Sequence, residues 1–472
     1  MPEAIKAAES LNLSAEFPPI STAAWQAAIV ADLKGADYEK RLVWRTDEGL
    51  KVKPYYRSED LAGLENQTDL APNQYPFTRG AGAGWTIAQN VTIAADAVRG
   101  DQLHDRGATA VQELAYALAE GVDALTALAE SGLTAIDAAP QIQFVFGVGS
   151  NYFFEIAKLR AARLLWSQAV SAFGVTEGEA SRMRIHSVTA LENKSICDPW
   201  TNLLRCTTEA LSAILGGCDA LTVRSFHFPE RLAENIQLVL KEEAHLGKVG
   251  DPAGGSYYIE SLTASLAKEA WKLFQQVEAE GGYAAAKTSG AIESALKQSR
   301  DAQAKAVSSR RRALVGVNNY PNLNEKIAGS EEPSTGRLAE PFEKLRLRTE
   351  RFAAKTGRTP KVLLLTHGDL KMRMARAQFC QNYIGCAGFE IVESPDYAGT
   401  DAAIVVLCSS DPEYLALAQE VCAKVKVPVM VAGNPKDQIE ALQQAGVTGF
   451  VHVMANAVDT LSAWQDRLGM EA

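Results

Sequence analysis

Few side chains in this sequence combine a reactive type with a setting that chemistry can use. An imidazole can donate a hydrogen bond to a carbonyl or, when neutral, bind a metal. His104 precedes the helical stripe of Leu114, Leu118 and Val122, where it reads either as a donor to a substrate oxygen or as a partly exposed loop histidine. His186, in Arg184-Ile185-His186-Ser187-Val188-Thr189, is at least as readily a satisfied structural histidine as a ligand contact. His367 closes the apolar run Lys361–Thr366, and the plain reading is a strand-end loop residue. The seven cysteines are odd in number and form no C-x-x-C pair, which fits thiols in a reducing compartment rather than disulfides or a metal site. Arg310-Arg311-Arg312 reads as a solvated face rather than a phosphate site.

These residues need elements to hold them. Residues 1–20 read as a tail, and Ser21 or Thr22 caps a helix from Ala23 to about Leu33. Leu42–Thr46 and Leu50–Lys53 form a hairpin over Asp47-Glu48-Gly49. From Val91 to about Ala304, short apolar segments alternate with long helices. These are a helix at Val111–Glu120 stopped by Gly121, a strand at Ile142–Val148, helices at Phe153–Val175 and Asn202–Leu215, a strand at Leu221–Ser225, and a helix at Arg231–Glu243. That rhythm predicts a parallel α/β layer or barrel. Residues 305–360, charged and bearing Pro, Ser and Gly, read as a linker. Beyond it, strands at Lys361–Thr366, Phe389–Val392, Ala402–Cys408, Val427–Ala432 and Gly449–Val453 alternate with helices, predicting a doubly wound, flavodoxin-like domain.

With 472 residues, 47% hydrophobic and 22% charged, the chain has the composition of a globular protein of two to three domains. A net charge of −10 argues against nucleic acid or an anionic membrane as main partner. No apolar stretch is long enough to span a bilayer, and Met1-Pro2-Glu3-Ala4-Ile5-Lys6 lacks a secretory pattern, so a cytoplasmic location is expected.

Asp251-Pro252-Ala253-Gly254-Gly255-Ser256-Tyr257-Tyr258-Ile259-Glu260 resembles the hallmark segment of the methylmalonyl-CoA mutase family. Phe153-Phe154-Glu155-Ile156-Ala157-Lys158-Leu159-Arg160-Ala161-Ala162-Arg163, Pro76-Phe77-Thr78-Arg79-Gly80 and Val315-Gly316-Val317-Asn318-Asn319-Tyr320-Pro321 agree with it. Asp32–Tyr38 and Met454–Ser462 bring the chain nearer to the family's small subunits. The resemblance implies an N-terminal extension for subunit contacts (1–84), a TIM-type (β/α) barrel (85–304), the linker (305–360) and a flavodoxin-like cobalamin-binding-type domain (361–472). The barrel should be shortened, because the similarity passes from Trp85–Gln89 almost directly to the helix at 104–120. The family interconverts methylmalonyl-CoA and succinyl-CoA with adenosylcobalamin.

Measured against that pattern, the ligand and substrate positions are altered. Counting back from Gly388-Phe389-Glu390-Ile391-Val392, the family's Asp-x-His-x-x-Gly loop falls at 371–376, here Lys371-Met372-Arg373-Met374-Ala375-Arg376. A guanidinium has no lone pair for cobalt, so Arg373 cannot replace the axial histidine. Gln102 stands where the family has the histidine that bonds the thioester, and Gln141 where it has an arginine for CoA. A Gly-Gly turn has become Gly433-Asn434, and a Gly-Pro-Gly-Thr segment has become His452-Val453-Met454-Ala455, whose side chains should fill the channel for the cofactor's nucleotide tail.

The resemblance therefore implies a small subunit that is not itself catalytic, binds no cofactor or metal, and stabilises a cobalamin-bearing large subunit in a heterodimer. Arg79, His104 and His186 remain as substrate-binding candidates, with acyl-CoA held weakly at most. Two alternatives stay open. One is an active acyl-CoA mutase with an atypical cobalamin mode, using His367 or His452 as ligand. The other is a CoA-ester-binding regulatory protein using Arg79 and the barrel mouth.

Overall fold

The computed structural model describes residues 17–471 apart from 81, 177, 331–333 and 335. Most of the tail read over 1–20 lies outside the described residues. The chain divides after Arg57 into two compact units. In the first, the Ser21 hydroxyl accepts from the Ala24 amide and starts helix α1, Thr22–Asp32. Strands β1 (Trp44–Arg45) and β2 (Lys51–Val52) pair antiparallel, closed by Gly49 at φ 79°, a left-handed backbone that glycine takes without strain.

The second unit holds two parallel five-stranded sheets. The first is built from β3 (Thr86–Ile87), β4 (Val98–Arg99), β5 (Gln143–Val148), β6 (Arg184–Thr189) and β7 (Ala220–Thr222), in the order β3-β7-β6-β5-β4. Strands β4 to β7 are neighbours in chain order, and β3, the earliest, pairs with β7, the last. Helices α2 (Gly100–Asp105), α3 (Ala110–Glu130), α4 (Tyr152–Ser171), α5 (Trp200–Leu215), α6 (Glu230–Leu238), α7 (Tyr257–Ala279) and α8 (Ala291–Ser308) accompany them. Strand alternation sorts the faces. Phe144 turns to the helices, its ring 4.8 Å from that of Trp166 on α4. Val145 and Val188 turn to the other face, where Ala97 and Ile93, from the short link between β3 and β4, pack on them.

The second sheet follows helix α9 (Glu340–Thr356). Its strands β8 (Lys361–Thr366), β9 (Glu390–Ser394), β10 (Ile404–Cys408), β11 (Val429–Ala432) and β12 (Val447–Val451) lie in the order β12-β11-β10-β8-β9. This is the doubly wound order expected from the alternation. Helices α11 (Tyr414–Lys424) and α12 (Ile439–Gln444) cover one face over Leu363, Val405 and Val431. Helices α10 (Leu370–Gly385) and α13 (Ala457–Arg467) cover the other with α9, over Val362, Leu364 and Val406.

Two expectations change. Residues 305–360 do not behave as a loose linker: Leu314, Val317, Ile327, Leu338 and Phe342 are buried in the same core as α10 and α13. Arg337 makes a buried two-pronged contact with Glu343, and Glu350 accepts from the Ile327 and Ala328 amides. Gly121 does not stop its helix, because α3 runs on to Glu130. A Cβ at Gly121 would lie 2.5 Å from the Phe144 ring and 3.1 Å from Trp166, so this glycine makes room for two aromatics.

Candidate functional site

His104 lies on α2, buried under the end of β5. Its Nδ1 is 2.9 Å from Glu113 Oε2, and Lys158 Nζ donates to the same oxygen at 2.6 Å and to the Gly147 carbonyl at 2.7 Å. Glu155 Oε2 meets Lys158 Nζ at 2.6 Å, and the Gly147 amide donates to Glu113 Oε1. A Cβ at Gly147 would stand 2.6 Å from the His104 ring, and one at Gly149 2.8 Å from Nε2, so both glycines are required by the packed imidazole. Burial alone would strip the proton from His104, but Glu113, with Glu155 behind it, lifts its pKa to about 9. Glu113, although buried, is held below the usual carboxylate range by Lys158 and His104. The site is thus a desolvated four-charge cluster tying α2, α3, α4 and β5 together. The reading of His104 as a partly exposed loop histidine does not survive: it is helical, buried and ion-paired, and its Nε2 lies beside Gly149.

The other candidates lie in different surroundings. Gln102, two residues earlier on α2, faces solvent. Gln141 is exposed and donates to the Asp137 carbonyl at 2.9 Å. His186 is buried in β6; its Nε2 meets Thr222 Oγ1 at 2.8 Å, and that hydroxyl donates onward to the Ala88 carbonyl. Nε2 is therefore the protonated nitrogen, and burial keeps the ring below the ordinary imidazole pKa. This relay joins β6, β7 and the end of β3. His186 and Gln141 line a cleft of about 650 Å³ at the N-terminal ends of the strands, with Gln143, Arg182, Arg184 and Asp219. Arg182 is tied to Asp219 and Glu179, whereas Arg184 is exposed.

Arg79 is held elsewhere, by the hallmark segment itself. Its Nε donates to Asp251 Oδ2 at 2.9 Å, its Nη1 to the Leu70 carbonyl, and Arg160 reaches Asp251 from the other side. Arg160 also meets Glu260 at 2.7 Å. A Cβ at Gly254 would press on Arg79 and Asp251, and Ser256 caps α7 by accepting from Ile259 N. The string thus reads physically as a clamp around two arginines, a relationship no local spacing could disclose.

In the second sheet, positions 371–376 form no loop. Asp369 accepts from Met372 N at 2.8 Å and starts α10, so Arg373 sits in the helix's first turn and the connection after β8 is only His367-Gly368-Asp369. His367 is exposed at the strand end, as expected. Over Gly368, at φ 72°, lies the Glu413 carboxylate, which accepts from the hydroxyls of Ser409 and Ser410 at 2.6 Å each and from the Asp369 amide at 3.4 Å. Those serines hold its pKa down to about 2. Arg376 pairs with Asp411 and lies against Gly433. His452 Nδ1 accepts from Met454 N at 3.2 Å. Val453 and Met454 do not fill an interior channel; they are exposed at the C-terminal end of β12. Among the described residues no cluster of His, Cys, Asp or Glu is arranged to hold a metal, and no helix is long and apolar enough to cross a membrane.

Comparison with known proteins gives one answer. A family model described as methylmalonyl-CoA mutase matches residues 84–356. The methylmalonyl-CoA mutase small subunit of Porphyromonas gingivalis is 34% identical over 623 aligned residues, covering 98% of this chain and 100% of that protein. The methylmalonyl-CoA mutase small subunit of Streptomyces virginiae is 35% identical, covering 89% of this chain and 70% of that protein. A probable methylmalonyl-CoA mutase small subunit of Mycobacterium tuberculosis is 36% identical over 80% of this chain and 65% of its own length.

Proposed function

The chain belongs to the methylmalonyl-CoA mutase family, and we propose that within it this chain is a small, non-catalytic subunit that stabilises a larger, cobalamin-bearing partner. The complex would interconvert methylmalonyl-CoA and succinyl-CoA. Adenosylcobalamin, when bound, supplies the radical chemistry of such a rearrangement, and the residues of this chain do not suit it. Ligands of doubly wound folds settle at the C-terminal ends of the strands, at the switch in strand order, here between β8 and β10. At the head of that crevice the Glu413 carboxylate lies over Gly368 and accepts from the Ser409 and Ser410 hydroxyls. Beside it Arg376 covers Gly433, and a cation on a helix stands where an imidazole on a loop would be needed. The occupied crevice is the observation that carries this reading.

The first sheet supports it independently. In a (β/α)8 barrel, consecutive strands are neighbours and the last pairs with the first. The order β3-β7-β6-β5-β4 has that closure but no pairing between β3 and β4, as if strands two to four of eight were absent. The alignment with the Porphyromonas protein spans 623 positions against 472 residues here, so at least 151 positions have no counterpart in this chain. What remains between β3 and β4 folds back, placing Ile93 and Ala97 on the face a barrel would keep for its interior.

The test is purification of the chain alone and exposure to hydroxocobalamin, followed by gel filtration. A colourless protein, and a one-to-one complex when the larger mutase subunit of the same genome is co-expressed, is the expected outcome; a retained red cofactor overturns the proposal. The cleft bearing Arg184 and His186 favours a second reading, a CoA-ester-binding regulatory protein, which tight binding of CoA by the isolated chain would support.

A further inference from the structure

The outer surface of the second unit carries apolar side chains that run from the first sheet layer to the second. Trp200 and Leu204 lie one turn apart on α5, 61% and 65% exposed, on its outward stripe rather than on the buried side of Asn202, Cys206 and Glu209. Arg205 of the same helix donates to the Val315 carbonyl at 2.6 Å, which brings Val315 beside them. Val315 bridges to Asn319, and the next residue, Tyr320, hangs its amide on Asn382 of α10 at 2.7 Å. Leu323 lies against Gly385 at the end of the same helix. Val315, Tyr320 and Leu323 are 46%, 69% and 45% exposed. Tyr320, at φ 53°, is a non-glycine residue in the left-handed region, fixed there by its neighbours with its ring in solvent.

Five such side chains present on the order of 500 Å² of apolar surface, near the top of what a monomer exposes in one patch. A stable interface takes about 800 Å² from each partner, with an apolar centre and a polar rim. The patch has that anatomy: exposed Thr208, Asn322 and Asn324 adjoin it in sequence, as do two exposed cations, Arg311 and Lys326.

We infer that this patch is the docking site for the larger mutase subunit, through a partner surface that is apolar at its centre and acidic at its edge. The inference rests on the small-subunit reading and adds to it a place of contact distinct from the N-terminal extension (1–84) that the resemblance assigns to subunit contacts. Relatives that align over most of this chain are named small subunits, a name that implies a larger partner. A second copy fits less well. A two-fold contact through this patch would bring the cations Arg311 and Lys326 of one chain to the same face as those of the other, and each chain carries a net charge of −10.

The test compares Leu204→Glu, Tyr320→Glu and the double variant with a control at another exposed apolar position, Val239→Glu, 46% exposed beyond the end of α6. Each full-length chain is titrated with the larger subunit, the complex being followed by sedimentation velocity, and folding is checked by circular dichroism. Each patch variant should weaken the complex at least about 30-fold, as loss of a buried interface anchor does, with the control near wild type. Should a glutamate variant unfold, Leu204→Ser and Tyr320→Ser are read by the same criterion. Patch variants that bind like wild type overturn the docking site while leaving the subunit reading intact. A wild-type chain that never binds the larger subunit overturns both. A wild-type homodimer dissolved by the patch variants, without the larger subunit, also overturns the inference.

Discussion

His104 Nδ1 and Glu113 Oε2 stand 2.9 Å apart in a buried site, with Lys158 Nζ on the same carboxylate oxygen. The pair makes the imidazole hold its proton more tightly folded than unfolded, with a pKa near 9 against 6.5. A group whose folded pKa is raised adds stability that is complete below the unfolded value and fades as pH climbs through the folded one. Urea midpoints should therefore fall between pH 7 and 9.5. In His104→Gln that slope should be largely gone and the midpoint lower at pH 6.5. Parallel slopes for the two proteins would show that His104 is not the group responsible.

Asp251 is shared by Arg79 and Arg160, and it sits at φ 46°, a backbone that asparagine also tolerates. Asp251→Asn keeps the shape and removes the charge, leaving Arg160, nearly inaccessible, with Glu260 alone. Breaking a buried pair in this way costs about 3 kcal/mol. The urea midpoint should drop accordingly, with a circular dichroism spectrum unchanged at low denaturant.

Gly121 poses a contest between propensity and packing. In mid-helix, alanine is favoured over glycine by about 1 kcal/mol. A Cβ there meets the Phe144 ring at 2.5 Å and Trp166 at 3.1 Å, and overpacking of a core typically costs about 1–3 kcal/mol. Packing should win, so Gly121→Ala lowers the thermal midpoint, whereas the same change at a helical glycine in open space would not.

What could be read before the fold was known depended on whether the cause was local. Strands β8, β10 and β11 of the second sheet are apolar runs buried on both faces, and they are legible for that reason, as is the hairpin around Gly49. The meaning of the hallmark segment was not, because Asp251 finds Arg79 across 172 positions and Arg160 across 91. Gly121 looked like a helix stop because its purpose lies on other elements, in Phe144 and Trp166. The stretch 305–360 looked like a linker because its buried residues are scattered among charges that pair internally, as Arg337 does with Glu343. The side chain of Arg373 shows by its type alone that it cannot bind a metal, whereas its place on a helix is set by the Asp369 cap just ahead of it.

That last difference makes the missing ligand testable beyond its chemistry. If only the side chain at 373 excluded cobalamin, Arg373→His would restore binding. An axial imidazole must reach out of a loop and be oriented by a carboxylate. Position 373 lies in the first turn of α10, and the Glu413 carboxylate, its pKa depressed to about 2, stays charged across the crevice at every working pH. Hydroxocobalamin should therefore leave no absorbance on Arg373→His after gel filtration, and none on the Arg373→His/Glu413→Ala double variant, because removing the latch does not turn the helix back into a loop. A coloured single variant would mean that one side chain, and not the shape of the crevice, keeps the cofactor out.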